Sequence, residues 1–390
     1  MTGDSGTQGR WSDDLPGDLL GAIYHRCSSS YERCRFAAVC TSWRAAASWQ
    51  PKLPALPLLL PSTRNGWFDR KALAYSPEDG RVLRAPLPCF PYGKRIVGSY
   101  DGGWVAGAIG CRITIVNLFT GARVLHKEDI PCWGSKFSTQ KIIFSKDPAS
   151  VGCIVAAMST SSVALFSLSG PAGAWTKPEA YRMLHVSKDP VDIAFCNGEL
   201  YVLSSYNGYG DLVLCKLAIG LDKGNVPTVI SREKINIRRH ATFRPRYIFE
   251  LGGKLATAGE VGPVSNGKAR TFRVFEVISS SDTIESYEWA EVASLGDHAL
   301  FLGSGCCKAV HISSAICGKV ERNCIYYSEK EEQDPEGLAR LDLGSCAVYC
   351  YENKGVDPSK EITSRGYHYP EKGHEINDRN TCTWIFPPNY

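Results

Sequence analysis

The chain has 390 residues, 44% of them apolar, and its 44 basic and 40 acidic side chains leave a formal charge of +4. That length allows one large domain or two unequal ones. With no Lys/Arg block and no apolar run near the ~18 residues of a bilayer span, composition supports neither nucleic-acid nor membrane binding. An amphipathic segment comes first. Ser12, Asp13 and Asp14 offer N-cap oxygens and acidic charge, and Pro16 suits a first helical turn. Leu19, Leu20, Ile23 and Tyr24 then fall on one face of a 3.6-residue helix. Cys27-Ser28-Ser29-Ser30 breaks that helix and recaps a second, Tyr31 to Val39. Thr41 or Ser42 caps a third through Trp43, Arg44 and Ala45-Ala46-Ala47. So small a unit cannot bury all this apolar surface by itself. Either it caps the main domain or its leftover face meets a partner.

The order of residue types favours a partner. Leu15-Pro16-x-x-Leu19-Leu20-x-x-Ile23, then Val39-Cys40, then Trp43-Arg44, closely resembles the F-box over residues 11–48. In that family three short helices dock on a Skp-type adaptor of a cullin–RING ubiquitin ligase. Carried over by position, the resemblance makes Leu15, Pro16, Leu19, Leu20 and Ile23 the main adaptor-facing contacts. It assigns Val39, Cys40 and Trp43 to the rest of that surface and to the small core. Recognition of this kind sets apolar helix anchors into a groove.

Residues 49–61 read as a stiff proline-rich linker, within which Leu58-Leu59-Leu60 has the composition of a buried strand. From residue 62 to 390 the helical period is gone. Short β-branched and aromatic runs recur between Gly, Asn, Asp and Pro: Gly103–Ala108, Arg112–Val116, Ile154–Ala157, Val163–Leu168, Leu200–Leu203 and Leu212–Leu217. Turn-led strands pair with a following strand, as Cys196-Asn197-Gly198-Glu199-Leu200-Tyr201 with Leu217, and Leu251-Gly252-Gly253-Lys254-Leu255-Ala256 with Phe272–Val277. Leu295–Gly303 pairs likewise with Asn323–Tyr327. First strands recur at roughly 45 to 55 residues, the spacing of a β-propeller blade. The expected fold is mainly β with a small α-helical N-terminal module: three helices, then a propeller of about six blades, or seven if the linker strand and the C-terminal tail close one. A plain β-sandwich fits the period less well.

The C-terminal third carries a second resemblance. Ser294–Gly303, Arg322–Ser328 and the tail Thr383-Trp384-Ile385-Phe386-Pro387 look like a plant F-box family whose C-terminal domain, once of unknown function, is a KIB-type (kelch-like) propeller. Asn117-Leu118-Phe119-Thr120-Gly121 resembles its Asn-Pro-Phe-Thr-Gly turn, with Leu118 where proline is usual. The two resemblances cover nearly the whole chain. Residues 329 to 382 match least, and Glu329 to Glu336 reads as an exposed acidic loop.

Chemistry-bearing patterns are missing from the sequence. It has no phosphate loop, no dinucleotide fingerprint, no nucleophile elbow and no zinc helix. The chain has sixteen cysteines but no signal-peptide core and no Asn-x-Ser/Thr sequon, so most of them, such as Cys111, Cys153, Cys196 and Cys215 in apolar runs, read as free thiols of a reducing compartment, cytoplasm or nucleus. Cys306-Cys307 with His311 and Cys346-x-x-x-Cys350 is the one tempting metal cluster, but adjacent strand residues point to opposite faces. His25, His185, His240 and His298 are scattered, and the loops Tyr206–Gly210 and Arg238–His240 read as solvated turns. No catalytic, cofactor-binding or metal residue is assigned.

The resemblances together imply a substrate receptor of a Skp–cullin–F-box ubiquitin ligase. The helical module would bind the adaptor and the propeller would bind a target protein of unknown identity. A receptor supplies proximity and orientation and needs no catalytic residue of its own. A non-degradative scaffold that holds the adaptor without the cullin, and a propeller-based enzyme, are the alternatives.

Overall fold

Ser29 stands in extended conformation ahead of α2, and its Oγ accepts a hydrogen bond from the Glu32 amide at 3.3 Å, the cap expected of that serine run. It separates α1 (Gly17–His25) from α2 (Ser30–Ala37), and α3 (Thr41–Ser48) follows. Pro16 is the N-cap of α1 rather than its first helical residue, and Cys40, not Thr41 or Ser42, is the N-cap of α3. The structure is a computed structural model. It describes residues 15–27, 29–50, 55–61, 72–79, 81–85, 95–109, 112–127, 139–168, 189–205, 212–235, 243–261, 271–279, 287–313, 320–328, 346–350, 355–356 and 382–388. The proposed first cap at Ser12–Asp14, the loops Tyr206–Gly210 and Arg238–His240, His185 and the acidic stretch Glu329–Glu336 lie outside the described residues.

After α3 the described strands form six sheets, with a single 3-10 turn among the described residues at Asp101–Gly103. The strands of the first are β1 (Leu58–Pro61), β2 (Ala72–Ser76) and β3 (Arg81–Ala85). Those of the second are β4 (Arg95–Tyr100), β5 (Trp104–Ile109), β6 (Arg112–Asn117) and β7 (Arg123–Lys127). The third holds β8 (Lys141–Phe144), β9 (Ile154–Met158) and β10 (Val163–Ser167). The fourth has β11 (Asp189–Cys196), β12 (Glu199–Ser205), β13 (Leu212–Leu221) and β14 (Pro227–Ile235), and the fifth β15 (Phe243–Leu251), β16 (Lys254–Val261), β17 (Thr271–Ser279) and β18 (Tyr287–Glu291). The sixth contains β19 (His298–Leu302), β20 (Cys307–His311), β21 (Cys324–Ser328), β22 (Cys346–Cys350) and β23 (Gly355–Val356). The last strand, β24 (Cys382–Ile385), returns to the first sheet and pairs with β1, giving the order β24-β1-β2-β3.

Edge strands of successive sheets pack on one another: β24 on β4, β4 on β8, β8 on β11, β11 on β15 and β15 on β20. This is the arrangement of a β-propeller, with the sheets packed side by side and one edge strand of each turned inward: β24, β4, β8, β11, β15 and β20. Buried clusters lie between neighbouring sheets. Leu60, Ala74 and Ile385 meet Ile96, Val105 and Leu118, while Ala156 and Leu165 meet Ile193, Leu200 and Leu217. Leu118, standing where proline was expected, is fully buried in the first of these, so the departure from the family turn serves packing.

The turns follow from their residues. Asn197-Gly198 and Gly252-Gly253 have positive φ at both positions and close the β11–β12 and β15–β16 hairpins in two residues. Gly103 has φ +89°, and a Cβ there would come 2.3 Å from Phe119 Cδ2, so only glycine fits beneath that ring. Asn117 fixes the adjoining turn: its Oδ1 accepts from the amides of Phe119 and Thr120, and its Nδ2 donates to the Gly102 carbonyl at 2.8 Å. Leu200 lies directly opposite Leu217 across β12 and β13, as the sequence pairing had it. The Leu295–Gly303 and Asn323–Tyr327 segments also pair, but in parallel, Leu300 opposite Ile325. The fully buried run Leu300-Phe301-Leu302 needs a neighbour on each edge, and β20 folds back onto the other one.

Candidate interaction site on the helical module

The three helices close on a core of their own. Leu20, Tyr24, Phe36 and Ala46 are buried, with Leu15, Cys27, Trp43 and Ala47 packed against them. Tyr24 meets Phe36 edge-on at 5.5 Å between ring centroids, and Phe36 meets Trp43 at 4.5 Å. The residues read as adaptor-facing therefore divide. Leu20 is 2% exposed and turned inward, while Leu15, Cys40 and Trp43 are half-buried. Pro16 is exposed, as are Leu19 (52%), Ile23 (38%) and Val39 (49%).

Leu19 and Ile23 are four residues apart on α1 and so lie one above the other on its outer face. Trp49, just past α3, is 76% exposed, and a Cβ added at Gly17 would lie 3.8 Å from its ring. That tryptophan was not singled out in the sequence, although its position after Ala45-Ala46-Ala47 takes it off the amphipathic face. Together these side chains leave an apolar surface on a module whose own core is already filled.

The module is seated on the first sheet. Arg33 and Glu78, both 3% exposed in their side chains, form an ion pair at 3.3 Å, and the Ser30 amide donates to the other Glu78 oxygen at 2.9 Å. Arg33 also donates to the Cys27 carbonyl and the Ser30 hydroxyl, so both members are hydrogen-bonded as well as paired. Glu78 sits in the turn between β2 and β3, where the Ser76 hydroxyl donates to the Asp79 carboxylate at 2.6 Å. Burial holds the Glu78 carboxyl above its ordinary value although the Ser30 amide and Arg33 pull the other way. A carboxyl raised in this way contributes stability that is fully present at low pH and diminishes as pH rises through its folded-state value. Leu56, which falls in the stretch read as linker, is buried in the core that also holds Leu59 and Trp384. The stretch 58–61, within the same range, is already β1.

The ion pair joins residues 45 apart in two different modules, and nothing in either local pattern announces the other. Glu78→Gln should keep the fold and cost about 1–3 kcal/mol, since Arg33 would be left buried against a neutral group. Faster amide hydrogen exchange along α2, with β11–β14 unchanged, is the expected reading. Equal protection of α2 in both proteins would remove the ion pair as the clasp.

At the centre of the propeller the inner strands bring a second group together. Lys141 of β8 donates to Asp192 of β11 at 2.5 Å, and Cys307 of β20 lies 3.7 Å from the Lys141 nitrogen. Cys306 faces the other way, into the core with Phe301 and Trp384, as expected for neighbours on a strand. Among the described residues, no three His, Cys, Asp or Glu side chains converge to hold a metal ion, and no helix is long and apolar enough to cross a membrane.

A family model for the KIB1-4 β-propeller matches residues 74–352, more than half of the chain. No curated protein matches the chain. Among solved structures, the N-terminal domain of Nup159 aligns over 75% of this chain and 75% of its own length, at 9% identity and a TM-score of 0.32. The β-propeller domain of Nup133 from Vanderwaltozyma polyspora aligns over 79% of this chain and 82% of its own, at 10% identity and a TM-score of 0.31. Likeness at that level carries no argument about function.

Proposed function

This chain belongs to the KIB1-4 β-propeller family, and on that footing we propose that it is the substrate-recognition subunit of a Skp–cullin–F-box ubiquitin ligase. The observation that carries the proposal is the apolar outer face of the helical module. Pro16, Leu19, Ile23 and Val39 stand exposed although the module has filled its own core and is clasped to the propeller by Arg33 and Glu78. An apolar face left exposed among the described residues is the chemistry of a helix-in-groove contact, and the order of residue types supports a Skp-type adaptor as its partner. The propeller, read as six-bladed from its six sheets, presents loops to a target protein. Ubiquitin transfer belongs to the partner enzymes, so the chain acts as a receptor without catalysis, in the cytoplasm or nucleus of a plant cell.

Co-expression with a plant Skp-type adaptor tests this. Stoichiometric co-purification is expected, and Leu19→Asp/Ile23→Asp should lower capture by roughly two orders of magnitude, each anchor being worth more than about 1 kcal/mol. Both positions are exposed, so the variant should keep the wild-type circular dichroism. Wild-type protein that stays soluble and uncaptured would return the module to a helical cap. Cullin recovered with the adaptor separates the ligase from a non-degradative scaffold.

A further inference from the structure

We propose that His298 and His311 form an open binding site for a divalent transition-metal ion of the zinc or copper class. The two residues stand directly opposite each other on the antiparallel strands β19 and β20. The Ile312 amide donates to the Asp297 carbonyl at 2.7 Å, which makes 297/312 a hydrogen-bonded pair of the ladder. His298 and His311 are thus a non-hydrogen-bonded pair, the kind in which facing side chains come closest.

Their ring centroids are 5.6 Å apart with planes at 80°. Two imidazoles on one tetrahedral ion, with metal–nitrogen bonds of about 2.0–2.1 Å, place their centroids about 5 Å apart. The observed spacing is close to that of a shared ion, and rotation about the side-chain torsions would turn one nitrogen of each ring toward it. Among the described residues neither imidazole makes a side-chain hydrogen bond, and the neighbouring Asp297 is taken up by Arg322 at 2.6 Å. His311 is exposed and His298 half-buried, so an ion can enter and water can fill its remaining positions. Neutral imidazole suits zinc, copper and nickel, and a site with two protein ligands favours copper over zinc by intrinsic affinity. A bound ion would tie β19 to β20 at the end of the hairpin remote from its turn.

Calorimetric titration of the full chain with zinc chloride, beside His298→Asn, His311→Asn and the double variant, tests the site. One saturable equivalent is expected in the wild type, weakened roughly tenfold or more in each single variant and lost in the double. Thiols also bind these ions, so a second readout is needed: the paramagnetic resonance spectrum of the copper-loaded protein should show coupling to two imidazole nitrogens, and to none in the double variant. Unchanged zinc binding in the double variant, or a copper spectrum without nitrogen coupling, overturns the assignment. Melting of the metal-free variants beside the wild type checks the fold. If His298→Asn unfolds, the exposed His311→Asn decides the question alone.

Discussion

Trp384→Ala is expected to destabilise the propeller by about 3–5 kcal/mol, the range for removing a fully buried large aromatic side chain. Trp384 is completely buried among Leu56, Leu59, Phe301, Tyr326 and Phe386, and its indole N–H donates to the Leu302 carbonyl at 3.1 Å. The strand that carries it is only four residues long, yet it touches three sheets. It pairs with β1 in the first sheet, Leu58 opposite Ile385 and Leu59 opposite Trp384. It meets the second through Thr383, which donates to the Ile96 carbonyl, and through Ser99, which donates to the Trp384 carbonyl at 2.6 Å. It meets the sixth through the indole. Just beyond it, the Phe386 carbonyl accepts from the Gly103 amide at 2.7 Å, and Lys308 lies over the Phe386 ring.

Losing the indole therefore opens a cavity where the last strand joins the first, besides leaving the Leu302 carbonyl without its donor. Trp384→Phe should cost less, since it keeps most of the volume and forfeits the hydrogen bond. Urea unfolding of the three proteins measures the order, with wild type above Trp384→Phe and Trp384→Ala lowest. An alanine variant within 1 kcal/mol of wild type would mean that the C-terminal strand does not latch the fold.

The sequence spoke most clearly where a single residue type answers a local demand. Asn197-Gly198 and Gly252-Gly253 were legible as turns because two consecutive positive φ values need Gly or Asn. The recurrence of turn-led strands paired the Cys196–Tyr201 segment with Leu217, and the structure sets Leu200 opposite that leucine. Ser29 was legible as a cap for the same local reason, whereas the third cap fell to Cys40 because the chain enters α3 in extended form one residue earlier than the hydroxyls suggested. Leu20 shows the limit of periodicity. It shares a face with Leu19 and Ile23 on a helical wheel, but the edge of that face turns into the three-helix core. The parallel pairing of β19 with β21 was hidden because a hydrophobic run announces burial on both faces and says nothing about strand direction. Contacts of the last strand with the early sheets were the least legible: Ser99 and Trp384 are 285 residues apart, and only the assembled sheets bring them together.

The same holds for the charges at the centre of the propeller, where a second large effect is expected. Lys141→Met should cost about 3–5 kcal/mol, because it leaves the Asp192 carboxylate buried without its cation. Asp192 is held from several directions. Its Oδ1 accepts from Lys141 and from the Ile193 amide at 2.9 Å, and its Oδ2 accepts from the Ile248 amide of β15 at 2.8 Å, with the Cys307 thiol 3.9 Å away. One carboxylate thus joins the inner strands of the third, fourth and fifth sheets and touches the sixth. Burial by itself would push the Lys141 ammonium down, but the Asp192 carboxylate beside it outweighs that and holds it above its ordinary value. A lysine raised in this way contributes stability that is fully present below the ordinary lysine value of about 10.4 and is lost as pH rises through the folded one. On the lysine side the pair should therefore hold through neutral pH and be lost as the solution becomes strongly alkaline. Burial also pushes the Cys307 thiol up to about 12, so it should remain protonated and slow to alkylate in the native protein at pH 7. Asp192→Leu should cost as much as Lys141→Met or more, since the Ile193 and Ile248 amides then lack an acceptor. The double variant, Lys141→Met/Asp192→Leu, should cost clearly less than the two single changes added together, because no unpaired charge is left behind. Urea melts of the four proteins at pH 7 give the coupling. Additive losses would show that the lysine and the aspartate stabilise the propeller independently and do not act as a pair.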